Sequence, residues 1–451
     1  MVALILCAGA FLACFFAGKR SLVAGLTALL AVGYFYGIAR ANVTSALSHF
    51  IFDAGVLGLY ATRLFRPLPL EERMRIQPIV PWLALLIGWP VVLLLLPLQD
   101  PMIQLVGLRA HIFLLPFLLL GARLCRDDVD RLAISLAVLN LVVFGIAVME
   151  FFVGIESFYP RNEVTDIIYK SNDIHTGNIL GAYRIPATFA HAGLYGGTMV
   201  ITLPFLLGGW TQRQTLPWRH RQIIMAGLVA TVLGVFLSAS RMHFMVLTVL
   251  VMVSVFGGRL GMAGRVGWVF VLAGLGWLVS MEERLFQRIL SLNTDTILER
   301  LSWGVNQSFV ELMFRYPLGN GLGGGGSSIP YFLRSLVRDP IWIENHYATI
   351  MLEQGLPGLL IWVAFLFWVF LRRTTRRDDP WYLGRRLAWF AAGAYFAQGL
   401  IGVGLLTAVP FTILLLLCVG WISVRQPGAS VGSTPGVVPS DHARTPVHSY
   451  A

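Results

Sequence analysis

Residues 79–98 read Ile79-Val-Pro-Trp-Leu-Ala-Leu-Leu-Ile-Gly-Trp-Pro-Val-Val-Leu-Leu-Leu-Leu-Pro-Leu98, a stretch without a single charge. A helix that crosses a bilayer needs about 20 mostly apolar residues, and this stretch has that length. Working outward, further apolar runs fall near 2–18, 21–39, 46–62, 102–121, 132–153, 188–209, 222–238, 242–257, 266–280, 347–371, 387–405 and 407–424. The whole chain has 451 residues, of which 57% are hydrophobic and 13% charged, with a mean hydropathy of +0.72. Soluble domains carry about 25% charged residues. The composition therefore excludes a soluble enzyme, a nucleic-acid-binding module and a disordered scaffold. It points to an all-α, polytopic integral membrane protein of about 12–13 transmembrane helices, with a transmembrane domain over 1–424. Residues 425–451, rich in Pro, Gly, Ser and Val without period, read as a disordered tail. The first run has no basic residue before it and Lys19-Arg20 after it, the reverse of a secretory signal, so it is expected to stay as a span.

The loops alternate in charge. The turns near 19–20, 63–75, 123–131, 213–221, 259–265 and 372–386 hold 20 of the 34 basic residues. Positive loops face the cytoplasm, which places these turns and the tail on the cytoplasmic side. Two long loops, 154–187 and 281–345, then lie on the other side, which is the periplasm if the membrane is a bacterial inner membrane. The net charge of +11 reports topology before it reports a ligand. The four cysteines form no CxxC and the long loops hold none, so neither a zinc ribbon nor a loop disulfide is expected.

Four clusters at the outer face could carry chemistry. Ser238-Ala-Ser240-Arg241 sits in a turn of a few residues between two spans, so Arg241 is pinned at the membrane surface. Arginine suits bidentate phosphate recognition; the bland alternative is a snorkelling interfacial cation. Tyr183-Arg184 through His191 places a second arginine at the mouth of the 188–209 run, with a loop cation and a helix-lining histidine as the alternative. Leu298, Leu301, Val305, Phe309 and Leu312 repeat at helical spacing before Pro317, which predicts a surface helix over 296–315 carrying Arg300 and Trp303. Pro317-Leu-Gly-Asn-Gly-Leu-Gly-Gly-Gly-Gly326 formally contains GxGxxG at Gly319, Gly321 and Gly324, but no strand precedes it and no nucleotide site follows. It is either a flexible loop or a place where backbone closely approaches a phosphate or a helix. Finally, Glu344-Asn345-His346-Tyr347 and Glu353-Gln-Gly-Leu-Pro-Gly358 put ionisable residues at the outer mouth of an apolar helix. Such residues mark function or an interfacial anchor. Arginines with an acid or a histidine make a diphosphate site with a general base. No metal spacing appears, and no cofactor is expected.

These motifs (Ser-Ala-Ser-Arg241, Glu299-Arg300-Leu-Ser-Trp303, Tyr316-Pro-Leu-Gly-Asn-Gly-Leu-Gly323, and Glu344-Asn-His-Tyr347 through Gly358) together resemble the O-antigen ligase and O-antigen polymerase (Wzy) superfamily of bacterial membrane glycan transferases, in order and spacing, over about 190–370. The resemblance implies a metal-independent glycosyltransferase that takes an undecaprenyl-pyrophosphate-linked glycan on the periplasmic face. Arg241 and Arg300 match the family's pyrophosphate-binding arginines, with Arg184 in support. Glu344 or His346 would be the base, and Asn345, Tyr347, Trp303 and His191 would line the pocket. Ligases of the family read His-Asn ahead of the Glu-x-Gly-Leu-Pro-Gly turn. Here Glu344 stands at that histidine's position and His346 follows two residues later. Acids there resemble the polymerase branches, so the expected function is a polymerase for O-antigen or exopolysaccharide. The alternatives are a ligase that uses a lipid A-core acceptor, a protein O-oligosaccharyltransferase, and, from another class, a lipid-linked glycan flippase or secondary transporter using the mid-span charges Asp53 and Arg109.

Overall fold

The computed structural model describes residues 1–170, 184–212, 216–256, 298, 302, 309–326, 328–341, 343, 345–372, 379–402 and 404–424. Fifteen α-helices run in chain order among the described residues. They are α1 (Val2–Arg20), α2 (Leu22–Asn42), α3 (Ile51–Arg63), α4 (Leu70–Ile76), α5 (Val80–Leu93), α6 (Pro101–Ile112), α7 (Phe117–Arg123), α8 (Arg126–Val153), α9 (Ala192–Thr211), α10 (Trp218–Leu237), α11 (Arg241–Phe256), α12 (Phe309–Arg315), α13 (His346–Leu371), α14 (Tyr382–Gln398) and α15 (Phe411–Ser423). No strand occurs among the described residues. The chain is an all-α, multi-pass membrane protein.

Among the described residues, seven helical segments are long and apolar enough to cross a bilayer: α1, α2, α6 joined to α7, α8, α9, α10 and α13. The α4–α5 pair, bent by 61°, makes an eighth if it is one span. The other described apolar runs also form helix, in the shorter pieces α3, α11, α14 and α15. Local chemistry sets where several of these begin and end. In the 46–62 run, Ser45 caps a 3-10 turn over Ala46–Phe50, so α3 begins only at Ile51. The 387–405 run ends as a helix at Gln398, and the residues beyond it turn to meet the start of α13. In the 407–424 run, α15 starts only after Pro410. The 266–280 run, the tail and most of the 296–315 surface helix lie outside the described residues. Of that helix α12 remains, with Leu312 buried beneath it.

The centre of the bundle is α9, of which 94% is buried. It is held to its neighbours by one polar cluster in an otherwise apolar core. Tyr34 on α2 donates to Asn140 Oδ1 on α8 at 2.8 Å, and Asn140 Nδ2 bonds Thr202 on α9 and Thr231 on α10, each at 2.8 Å. Satisfied amides of this kind join helices in an apolar medium, each worth about 0.6–2 kcal/mol.

The arginine-rich turns meet at one end of the bundle. Arg63 Nε donates to Gly18 O at 2.6 Å, Arg123 Nη1 to Arg63 O at 2.7 Å, and Arg123 Nε pairs with Glu72 at 2.8 Å. Arg126 reaches Gln212, which bonds Pro380 O, and Arg385 Nη2 donates to Val424 O. The described residues of these turns, from Gly18, Arg63, Glu72 and Arg123 to Arg126, Gln212, Pro380 and Arg385, therefore share a face, in keeping with the charge pattern.

Candidate functional site

At the opposite end, residues 184–191 form a strap laid across the last turns of α2. Ile38 N donates to Thr188 O at 2.9 Å, and Tyr159 Oη donates to Ala187 O and Phe189 O at 2.6 and 2.9 Å. Gly37 permits the contact, because a Cβ there would collide with the Phe189 carbonyl carbon. Ile185 N donates to Leu237 O at 3.1 Å and ties the strap to the end of α10. The chain then reverses within Ser238–Ser240, through Ala239 at φ 47°, and Arg241 opens α11. Ala187 is also left-handed, at φ 50°. Non-glycine residues in that region cost about 1–3 kcal/mol each and concentrate at functional sites.

These constraints bring Arg184 and Arg241 together. Burial, then the neighbouring charge of Arg241, pulls the Arg184 guanidinium below its ordinary value. His191 caps α9, its Nδ1 accepting from Leu194 N at 3.1 Å, and it feels the charges of both Arg184 and Arg40. Arg40, in the last turn of α2, stacks its guanidinium over Tyr36 at 5.5 Å. The buried Nε atoms of Arg40 and Arg241 have no hydrogen-bond partner. Buried donors of like charge are costly unless a counter-charge completes them, and the buried Glu150 carboxylate stands beside the Ala187 backbone of the same strap.

A second constellation lies where α13 begins. Asn345 accepts from Tyr347 N and Ala348 N at 2.9 and 3.1 Å as the helix N-cap. His346 N donates to Gly399 O and Gly402 O, and Tyr347 Oη donates to Phe396 O at 2.8 Å. One helical face then presents His346, Thr349 and Glu353. At Gly355 (φ 69°, ψ −175°) α13 kinks, and the glycine-rich stretch enters there. Leu356 N donates to Pro317 O and Asn320 N to Leu352 O. Gly323 N and Gly325 N donate to the Glu353 carboxylate, each at 3.1 Å. The same carboxylate meets His111 Nε2 of α6 at 2.6 Å. Gln99 fastens the loop from the other side, bonding Asn320 O and both backbone groups of Arg338. A cleft lined by His111, Ser328, His346, Thr349, Glu353 and Thr407 opens beside it.

The structure thus gathers Arg184, Arg241 and His191 in one place and His346, Asn345 and Tyr347 in another. Asn345 and Tyr347 spend their polar groups on the helix start, while the ring of His346 lines the cleft. Glu344, Arg300 and Trp303 lie outside the described residues. Arg40, His111 and Glu353 join the site without having been assigned to it. Their signal was an ionisable residue within or at the end of an apolar run, which by itself does not say what it meets. The glycine stretch closely approaches a helix, in keeping with one of its expected readings. Asp53 and Arg109, the mid-span charges, pair bidentately at 2.7 and 2.5 Å. Among the described residues no three acidic, histidine or cysteine side chains gather as metal ligands. No protein-family model and no curated protein sequence matches the chain.

Proposed function

We propose that the protein is a membrane glycan polymerase. It transfers a glycan from an undecaprenyl-pyrophosphate carrier to a sugar hydroxyl on the periplasmic face of the bacterial inner membrane. The observation that carries this reading is the meeting of Arg184 and Arg241, with His191 in the field of Arg184 and Arg40 and with the Nε atoms of Arg40 and Arg241 buried without a hydrogen-bond partner. A cluster of this kind suits a diphosphate, and its position at the end away from the arginine-rich turns suits a donor presented outside. In the reaction the acceptor oxygen attacks C1 of the donor sugar. The C1–O bond to the diphosphate breaks, and the bonding pair leaves with the lipid diphosphate, whose charge the arginines stabilise. The acceptor proton passes to His346, which lines the cleft; Glu344, two residues earlier in the sequence, is the other candidate base. A lipid A-core acceptor would make the same machinery a ligase. The Asp53–Arg109 pair neutralises the two charges a flippase or transporter path would need.

The test is reconstitution with a synthetic lipid-pyrophosphate repeat unit, with and without a lipid A-core acceptor. A product ladder without the core acceptor, lost in His346→Ala and Arg241→Met, is expected. One transfer seen only with the core acceptor would establish the ligase. No transfer with either acceptor, despite donor binding, would overturn the transferase reading.

A further inference from the structure

The Glu353 carboxylate, 1% exposed, is completed by three donors from two other segments. Oε2 meets His111 Nε2 and Gly323 N, and Oε1 accepts from Gly325 N. His111 uses its other ring nitrogen as well, accepting from Gln354 Nε2 at 2.8 Å on Nδ1. With Nδ1 an acceptor, the ring proton sits on Nε2 and points at Glu353. Both nitrogens of His111 are thereby engaged, and neither can take a proton from a substrate. The glycine loop has no room for side chains at the contact: a Cβ on Gly325 would stand 2.8 Å from Glu353 Oε1, and one on Gly107 of α6 would strike Gly323 N. Ser328 follows directly from this loop and lines the cleft with Thr349, Thr407 and His346.

We infer that Glu353 and His111 act as one positioning unit. They hold the glycine loop down on the break in α13 and so fix the wall of the cleft in which His346 meets the acceptor hydroxyl. The inference rests on the transferase reading for the reaction it serves. It makes Glu353 a positioning residue and His346 the group that touches substrate. The cleft admits a group the size of one hydroxyl, and it shares no residue with the arginine cluster.

The test uses the full chain in lipid nanodiscs with four variants: His111→Gln, which keeps a donor toward Glu353, His111→Leu, Glu353→Gln, and the double variant His111→Leu/Glu353→Gln. Hydrogen exchange of the amides in 321–326 is read first. His111→Leu and Glu353→Gln should each raise exchange about 10–100-fold, the worth of a charge-assisted hydrogen bond, and His111→Gln should stay near wild type. Turnover with the lipid-pyrophosphate repeat unit is read second. The two disruptive variants should lower kcat by a similar factor with donor Kd unchanged, and the double variant should be no worse than either single one. His111→Gln behaving like His111→Leu, losses that multiply in the double variant, or a parallel fall in donor affinity would each overturn the inference. If the wild type transfers nothing, the transferase reading falls with the catalytic role, and the exchange pattern alone still decides whether this pair holds the loop.

Discussion

Replacing Gly355 by alanine tests the seating of the glycine loop most directly. At φ 69° and ψ −175° the residue occupies a region that is essentially glycine's alone, and a side chain there costs about 1–3 kcal/mol. The added Cβ would also lie 2.5 Å from the Leu318 carbonyl carbon and 2.6 Å from Pro317 O. These are backbone atoms that cannot rotate away, and overpacking of this kind costs about 1–3 kcal/mol more. The combined penalty is about 2–6 kcal/mol. The loop is held chiefly by Leu356 N to Pro317 O, Asn320 N to Leu352 O, the two amide bonds to Glu353 and the bonds from Gln99. At about 1 kcal/mol net for each such bond, the holding energy is about as large as the penalty. Gly355→Ala should therefore lift the loop in a large share of molecules rather than unfold the bundle. Amide exchange over 317–326 would rise at least about 30-fold, the equivalent of about 2 kcal/mol, while the apparent Tm shifts little. Gly88→Ala, where a Cβ meets nothing within 4 Å, serves as the control and should leave exchange unchanged. Wild-type protection of the loop in Gly355→Ala would refute the account of how the glycine stretch is seated.

Three further outcomes follow from the same geometry. Arg40→Met and Arg241→Met should each weaken binding of a polyprenyl diphosphate about 10–100-fold by titration, as loss of a charge-assisted hydrogen bond requires. Lysine at either position should recover only part of this, and wild-type affinity in Arg40→Met would remove that residue from the site. Asp53→Asn should lower the apparent Tm, and Asp53→Asn/Arg109→Gln should restore it. Because the Arg109 side chain is 40% exposed, the loss should be about 1 kcal/mol rather than the cost of a fully buried broken pair. Abolished glycan transfer in the double variant, with its Tm restored, would show that the pair does more than pack. Burial, and then the hydrogen bond to Asp128, raises the Cys125 thiol above its ordinary value. Its reactive thiolate is scarce at neutral pH, and maleimide labelling should speed up as pH rises and in Asp128→Asn. Labelling should occur only from the side that holds the arginine-rich turns, and reaction from the opposite side would invert the proposed orientation.

The helices were legible because apolar length is a local property. The described apolar runs are helical over most of their length, and the alternation of arginine turns anticipated the contacts among Gly18, Arg63 and Arg123. Helix ends were less legible, since they depend on caps and tertiary seats. Ser45 turns the chain into a 3-10 turn, and residues past Gln398 are shaped by the His346 amide they receive. At the site, Arg241 could be named because a short turn fixes it at a surface, and Arg184 because it stands at the mouth of an apolar run. Their meeting depends on the strap that joins Ile185 to Leu237. His111 and Arg40 look like single polar interruptions in apolar runs, and only the opposing element gives them meaning. For His111 that element is Glu353, and for Arg40 it is the strap through His191. The glycine stretch shows the same limit: its composition demanded a close approach, but the partner lay in α13, beyond anything its own letters specify.

The glycine loop is fastened by residues made before it and by residues made after it. Gln99, Gly107 and His111 precede it in synthesis, while Glu353 and the kink at Gly355 follow. Chains are made and folded from the N-terminus, so a nascent chain that has delivered residue 326 holds one side of the clasp and lacks the other. The cleft gains its His346, Thr349 and Glu353 wall only when α13 has been made, and its Thr407 wall only after α14. The step that completes the clasp is thus also the step that delivers His346, whose amide then waits for Gly399 and Gly402, and a chain cut short before Glu353 would carry Arg40, Arg184 and Arg241 without the clasp.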